Sequence, residues 1–139
     1  MEPIEVIINA GGGRFIEDET ENSINRAFAD NGLEINLHLA KDGSEIESLA
    51  VRAAAGDSDK VVAGGGDGTL NAVAARIAAV GKVFGVLPLG TLNHFSKDLG
   101  IPQDLAGAVG VIKAGHTRRI DLGEILGHGL ARHGHAVAV

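Results

Sequence analysis

An α/β fold is expected for this chain: three layers, with a mainly parallel sheet and helices on both faces. Three observations predict it. Short apolar runs rich in Val and Ile alternate with longer segments of helical character. Glycine-rich turns follow three of those runs. The length of 139 residues holds one ordinary domain with a core of its own. Strand and helix in alternation indicate parallel strands joined by crossover helices, and such sheets place ligands at the carboxyl ends of the strands.

Ile4–Asn9 is an apolar strand that runs into Gly11-Gly12-Gly13. Ser23–Asn31 reads as a helix stopped by Gly32. In Glu34–Leu39 the apolar residues Ile35, Leu37 and Leu39 alternate with polar ones, the period of a half-buried strand. Ser44 and Glu47 have capping-box spacing for a helix that ends near Gly56. Lys60–Ala63 is a buried strand, followed by a glycine turn and an Ala-rich helix to about Val80. Lys82–Leu87 is the fourth strand, Pro102–Ala114 a helix with Pro at its start and Gly115 at its end, and Arg118–Ile125 a last strand. Gly127–Val139 differs: three histidines among glycines, then a short apolar run and no closing helix. The chain is therefore read as part of a longer protein.

Composition excludes several classes. Hydrophobic residues make up 45% of the chain, which argues for a packed domain over disorder. Aromatics are only 3%, so Val, Ile, Leu and Ala must build the core. Without cysteine there is no disulfide frame, thiolate nucleophile or cysteine metal site. No signal peptide or membrane-length apolar run is present, and a cytoplasmic location is expected. A net charge of −6 argues against non-specific binding to nucleic acid or anionic lipid, although Arg118 and Arg119 form a local basic pair.

The most informative run is Val61-Val62-Ala63-Gly64-Gly65-Gly66-Asp67-Gly68-Thr69-Leu70-Asn71. Four glycines bring backbone close to a ligand, and the amides of the following helix start favour an anion such as phosphate. A tight turn capped by Asp67 or Thr69 is the plainer alternative, but four glycines exceed what capping needs. Neither a P-loop nor a dinucleotide fingerprint is present. In Asn9-Ala10-Gly11-Gly12-Gly13-Arg14, glycine amides, an Asn side chain and an Arg could hold phosphate; the bland reading is an ordinary turn. In Leu87-Pro88-Leu89-Gly90-Thr91-Leu92-Asn93-His94-Phe95, Gly90 permits close approach while Thr91 and Asn93 offer a hydroxyl and an amide. The alternative is a Pro-Gly turn with Thr91 capping a short helix, and His94 as a solvated side chain.

Taken together, Gly65–Asn71, Pro88–Asn93 with Phe95, and Ile120-Asp121-Leu122-Gly123 resemble the diacylglycerol kinase catalytic domain family, which includes bacterial lipid kinases and sphingosine and ceramide kinases and is related to NAD kinases. Asn9–Gly13 looks like that family's opening Asn-Pro-x-x-Gly motif, with Ala10 in place of Pro. The resemblance runs from about Ile4 to Gly123.

It implies ATP and Mg²⁺ as cofactors and transfer of the γ-phosphoryl group to a lipid hydroxyl. The nucleotide would be held by Asn9, Gly11, Gly12, Gly13, Gly65, Gly66, Gly68, Thr69, Gly90, Thr91 and Asn93. Asp67 matches the aspartate that activates the acceptor hydroxyl, and Asp121 one that supports it through a polar network. Residues 1–123 would form the nucleotide-binding catalytic domain, and 124–139 either the start of a β-rich domain that completes the lipid site or a tail foreign to it. The implied partners are nucleotide and lipid, with transient contact at a membrane surface. Apolar surface left uncovered by a missing domain would favour a homo-oligomer.

Two residues depart from the family's pattern. His94 stands where many members have Asp, and Ala72 where many have Glu, so part of the carboxylate network is absent or rebuilt, with Asp98 at hand. The spacing of His128, His133 and His135 does not preorganise a metal site, and none is expected. Two other functions stay open: an NAD kinase-like enzyme sharing the Gly-Gly-Asp-Gly-Thr run, and a nucleotide-binding regulatory module without catalysis. As this fragment alone, the chain is expected to be inactive.

Overall fold

A computed structural model describes residues 2–11, 17–90, 92–121 and 134–139. Its strands are β1 (Ile4–Asn9), β2 (Ile35–Ala40), β3 (Lys60–Gly65), β4 (Val83–Pro88), β5 (Thr117–Asp121) and β6 (Gly134–Ala138). The helices are α1 (Glu17–Asp30), α2 (Gly43–Ala55), α3 (Asp67–Val80), α4 (His94–Asp98) and α5 (Leu105–Ala114). The sheet order is β2-β1-β3-β4-β6-β5. All adjacent pairs are parallel except β5 with β6, which is antiparallel. α1 packs with α5 and α2 with α3, giving the expected three-layer α/β architecture.

The strands lie where short apolar runs predicted them, because strands covered on both faces need continuous apolar sequence. Val6, Ile7, Ile8, Val61, Ala63 and Leu87 are fully buried. The four longer helices each add one apolar stripe: Ile24 and Phe28 from α1, Ile46 and Ala50 from α2, Leu70, Val73 and Ile77 from α3, Val109 and Ile112 from α5. The alanines of α3 let it lie close to α2, where Arg76 Nε donates to Glu47 Oε1 at 2.6 Å across the pair.

Several boundaries differ from expectation. α1 begins six residues before Ser23, at an acidic stretch that suits the positive end of the helix dipole. The cap of α2 is Asp42, whose carboxylate accepts from Glu45 N at 2.9 Å, while Glu45 Oε2 accepts from Lys41 N at 2.9 Å. The capping pair is thus two residues earlier than Ser44 and Glu47. α5 starts at Leu105 rather than Pro102, since Asp104 accepts from Gly107 N at 2.8 Å and caps it there. Leu122–Ile125 of the expected last strand lie outside the described residues. The apolar run near the C-terminus forms β6, which enters the sheet between β4 and β5, with Val137 opposite Phe84 and buried.

Candidate functional site at the carboxyl ends of β1, β3 and β4

The chain moves from β1 to β2 on one side and returns to β3 on the other, so strand order reverses between β1 and β3. At such a switch point the connecting loops diverge and leave a crevice above the sheet. Asn9 ends β1 at this place, and Gly65 ends β3. Asn9 Nδ2 donates to Thr69 Oγ1 at 3.1 Å, and Asn9 Oδ1 accepts from Gly11 N at 2.9 Å. One side chain therefore ties the first glycine turn to the start of α3.

The turn before α3 depends on its glycines in different ways. Gly65 has φ +153°, a conformation L side chains rarely adopt. A Cβ on Gly90 would lie 2.3 Å from Gly66 Cα, so the second and third glycine turns touch backbone to backbone. Gly68 is different: its φ is not positive and a Cβ there would meet nothing within 4 Å. Its missing side chain leaves room rather than solving a packing problem.

That room belongs to a cleft of about 400 Å³. One wall is Asn9 and Gly11, another is Gly68 and Thr69 of α3, and a third is Lys41, Asp42 and Gly43 around the start of α2, where the Asp42 carboxylate is taken up in capping that helix. Ile46 and Ala72 add apolar surface. The first turn of α3 has Gly66 as its N-cap and no side chain capping it. Uncapped amides, the positive end of a 14-residue helix and a nearby Lys suit an anionic ligand with an apolar part.

Asp67 takes neither cap role offered by the sequence. It is the first residue of α3, and its carboxylate accepts from two amides of α4: Oδ2 from His94 N and Oδ1 from Phe95 N, each at 3.1 Å. The Phe95 ring is buried edge-on against Phe84 of β4, with centroids 6.0 Å apart and planes at 66°. Asn93 sits in the left-handed region with φ 53° and donates Nδ2 to the carbonyls of Pro88 at 3.3 Å and Gly90 at 3.0 Å. Its Oδ1 is buried and has no hydrogen-bond partner among the described residues. Asn93, not Thr91, occupies the N-cap position of α4.

The structure thus gathers Asn9, Gly11, Gly65, Gly66, Asp67, Gly68, Thr69, Gly90 and Asn93 at one end of the sheet. Gly12, Gly13, Arg14 and Thr91 lie outside the described residues, as do His128 and His133. Asp121 is not brought to Asp67. Its backbone pairs with Gly134 while Val137 pairs with Phe84, early in β4, and Gly65 pairs with Pro88 at the other end. At roughly 3.3 Å per residue, the strand register separates the two aspartates by about 20 Å. The cause is the antiparallel run of β5, which carries Asp121 away from the carboxyl ends.

Lys41, Gly43 and Ile46 were not singled out from sequence, although Asp-Gly directly after a strand was a signal for a loop at this end. Among the described residues, no three His, Asp or Glu side chains form a metal-binding group.

The sequence matches the family described as "Diacylglycerol kinase catalytic domain" over residues 3–125. It is 32% identical over 130 residues to a diacylglycerol kinase of Bacillus subtilis, covering 91% of this chain and 43% of that protein. It is 38% identical over 96 residues to a diacylglycerol kinase of Staphylococcus epidermidis, covering 68% of this chain and 30% of that one. Its fold is similar to a crystal structure titled as a diacylglycerol kinase from Bacillus anthracis, with a TM-score of 0.75 at 24% identity over 86% of this chain and 42% of that one. The chain spans less than half the length of each of these relatives.

Proposed function

The chain belongs to the diacylglycerol kinase catalytic domain family, and from that premise we propose that it is the nucleotide-binding part of an ATP-dependent lipid kinase. The acceptor in this reading is the hydroxyl of a diacylglycerol-like lipid, met at a membrane surface. No helix among the described residues is long and apolar enough to cross a membrane, which fits contact from outside the bilayer.

The observation that carries the reading is the position of Asp67. It lies one residue before the Gly68–Thr69 wall of the anion-suited cleft and is bonded to the segment that follows the third glycine turn. Nucleotide fits the cleft on two structural grounds: α3 begins uncapped, and Gly68 leaves space that any side chain would fill. Mg²⁺, which the family reading implies, would be carried largely by phosphate oxygens and water, as such ions commonly are, with at most one or two carboxylates.

In the proposed reaction, the open amides of α3 and the hydroxyl of Thr69 hold phosphate oxygens, and Asn9 keeps Thr69 in place. The acceptor hydroxyl gives its proton to an oxygen of Asp67 as its own oxygen attacks the terminal phosphorus. The bond from that phosphorus to the bridging oxygen breaks, and the nucleoside diphosphate leaves with that oxygen. Asp121 has no step here, because the register sets it at the opposite end of the sheet.

A second reading, a nucleotide-binding module without catalysis, is favoured by one observation: both oxygens of Asp67 already accept backbone hydrogen bonds. The intact protein decides between them. Transfer of labelled γ-phosphate from ATP to a lipid in a panel of diacylglycerol-like acceptors, lost in Asp67→Asn, supports the kinase. Tight ATP binding by calorimetry with no transfer to any lipid supports the module. The 139-residue chain alone is expected to transfer little, since it spans less than half the length of the relatives it matches.

A further inference from the structure

The two hydrogen bonds on Asp67 link a residue with a proposed chemical task to the first amides of a short helix. α4 is five residues long, and a helix of that length is not stable by itself. Its N-cap residue Asn93 gives it no side-chain hydrogen bond. The amides of His94 and Phe95 are satisfied instead by a carboxylate 27 and 28 residues back in the chain. Hydrogen bonds to an ionised carboxylate are roughly twice as strong as neutral ones, and protonation converts one acceptor oxygen into a donor.

We propose that α4 reads the charge state of Asp67: its first turn is anchored while the carboxylate is ionised and released when the carboxylate takes up a proton. Where Asp67 accepts the proton of the acceptor hydroxyl, as in the function proposed above, the transfer step itself frees the start of α4 at His94. Leu92, just before it, is 62% exposed at the same end of the sheet. Release therefore loosens the chain just beyond the carboxyl end of β4 once the phosphoryl group has moved.

The other half of the anchor is rigid. Phe95 is 2% exposed and packed on Phe84, and Ser96 is fully buried, its hydroxyl donating to Asn93 O at 3.2 Å and accepting from Gln103 Nε2 at 3.0 Å. Loss of the carboxylate bonds thus frees the start of α4 before its middle. The titratable neighbours are few. α4 carries His94, Lys97 and Asp98, α3 carries only Asp67 and Arg76, the latter bonded to Glu47, and β4 carries none.

Asp67→Asn imitates the neutral carboxyl: one oxygen still accepts, and the amide nitrogen cannot. Backbone hydrogen exchange of the intact protein, read residue by residue by NMR, tests the inference without any turnover, so its failure is distinct from failure of the kinase reading. In Asp67→Asn and Asp67→Ala the amides of His94 and Phe95 are expected to exchange roughly tenfold faster or more, while Val62 in β3 and Val86 in β4 keep their rates. Unchanged exchange at His94 and Phe95 overturns the proposal. Acceleration at all four positions, or loss of the fold, also overturns it, because Asp67 would then hold the whole domain and not α4.

Discussion

Asn9 and Thr69, 60 residues apart, are joined by a hydrogen bond of 3.1 Å across the point where strand order reverses. The same Asn9 side chain accepts from Gly11 N, so both of its polar atoms are used in fixing two glycine turns to each other. The bond is partly buried, and Thr69 is 7% exposed, so losing one partner leaves the other without full solvation. The relation is structural in itself. It bears on the proposed nucleotide site because both residues line the cleft side by side.

Thr69→Val keeps the shape of the side chain and removes the acceptor of Asn9 Nδ2. A stability loss of about 1–2 kcal/mol is expected in thermal or denaturant unfolding. ATP affinity should fall by about tenfold or more in calorimetry, since a loss near 1.4 kcal/mol corresponds to a factor of ten. Unchanged affinity would remove Thr69 from the nucleotide site.

Gly68 and Gly90 separate function from folding. Gly68→Ala should leave stability unchanged or raise it by about 0.5–1 kcal/mol, because Ala is the better helix residue and the position is open. It should nevertheless weaken ATP binding, because the added methyl enters the cleft. Gly90→Ala should do the opposite kind of damage. Its Cβ would stand 2.3 Å from Gly66 Cα, and forcing the turns apart should cost about 1–3 kcal/mol. Unfolding curves paired with binding isotherms for the two variants check both statements.

The two glycines also show what the sequence reveals and what it hides. Glycine turns after apolar runs locate the carboxyl ends of strands from local signals alone, and these brought most of the candidate residues to one end of the sheet. Why each glycine is needed is not read from its own motif alone: Gly90 is explained by Gly66 on the second glycine turn together with Asn93 Oδ1, and Gly68 by a cleft that Lys41 and Gly43 also line. The stretch Asp42-Gly43-Ser44-Glu45-Ile46-Glu47 offers two capping registers of equal spacing, and only the folded chain selects Asp42 with Glu45. β6 has no strand signature beyond a short apolar run, because its partner β4 lies some fifty residues away. That strand sets the course of β5, and with it the distance of Asp121 from Asp67. The bond from Asp67 to α4 joins two motifs whose sequence spacing carries no trace of it.

Lys82 gives a control far from the cleft. Its Nζ donates to the carbonyls of Ala53 at 3.1 Å and Gly56 at 2.6 Å, closing the carboxyl end of α2, where a cation also meets the negative end of the helix dipole. Lys82→Met keeps the apolar stem and loses both bonds. A loss of about 1 kcal/mol in stability is expected, with ATP affinity unchanged. A change in affinity would mean that the opposite end of α2 responds as one body with its start at Lys41 and Gly43.

Asn93 tests how much of the third glycine turn is backbone geometry and how much is side-chain bonding. Its φ of 53° is tolerated by Asn and Gly and disfavoured for other L residues, and its Nδ2 holds the carbonyls of Pro88 and Gly90. Asn93→Ala loses both contributions and should destabilise the protein by about 2–4 kcal/mol. Asn93→Gly restores the geometry but not the bonds, and should cost about half as much. If nucleotide contacts Asn93 directly, both variants lose ATP affinity equally. If Asn93 acts by placing the turn, the Gly variant keeps the greater share, because its backbone still brings Gly90 against Gly66. Calorimetry on the two variants, at a temperature where unfolding curves show each fully folded, separates contact from placement.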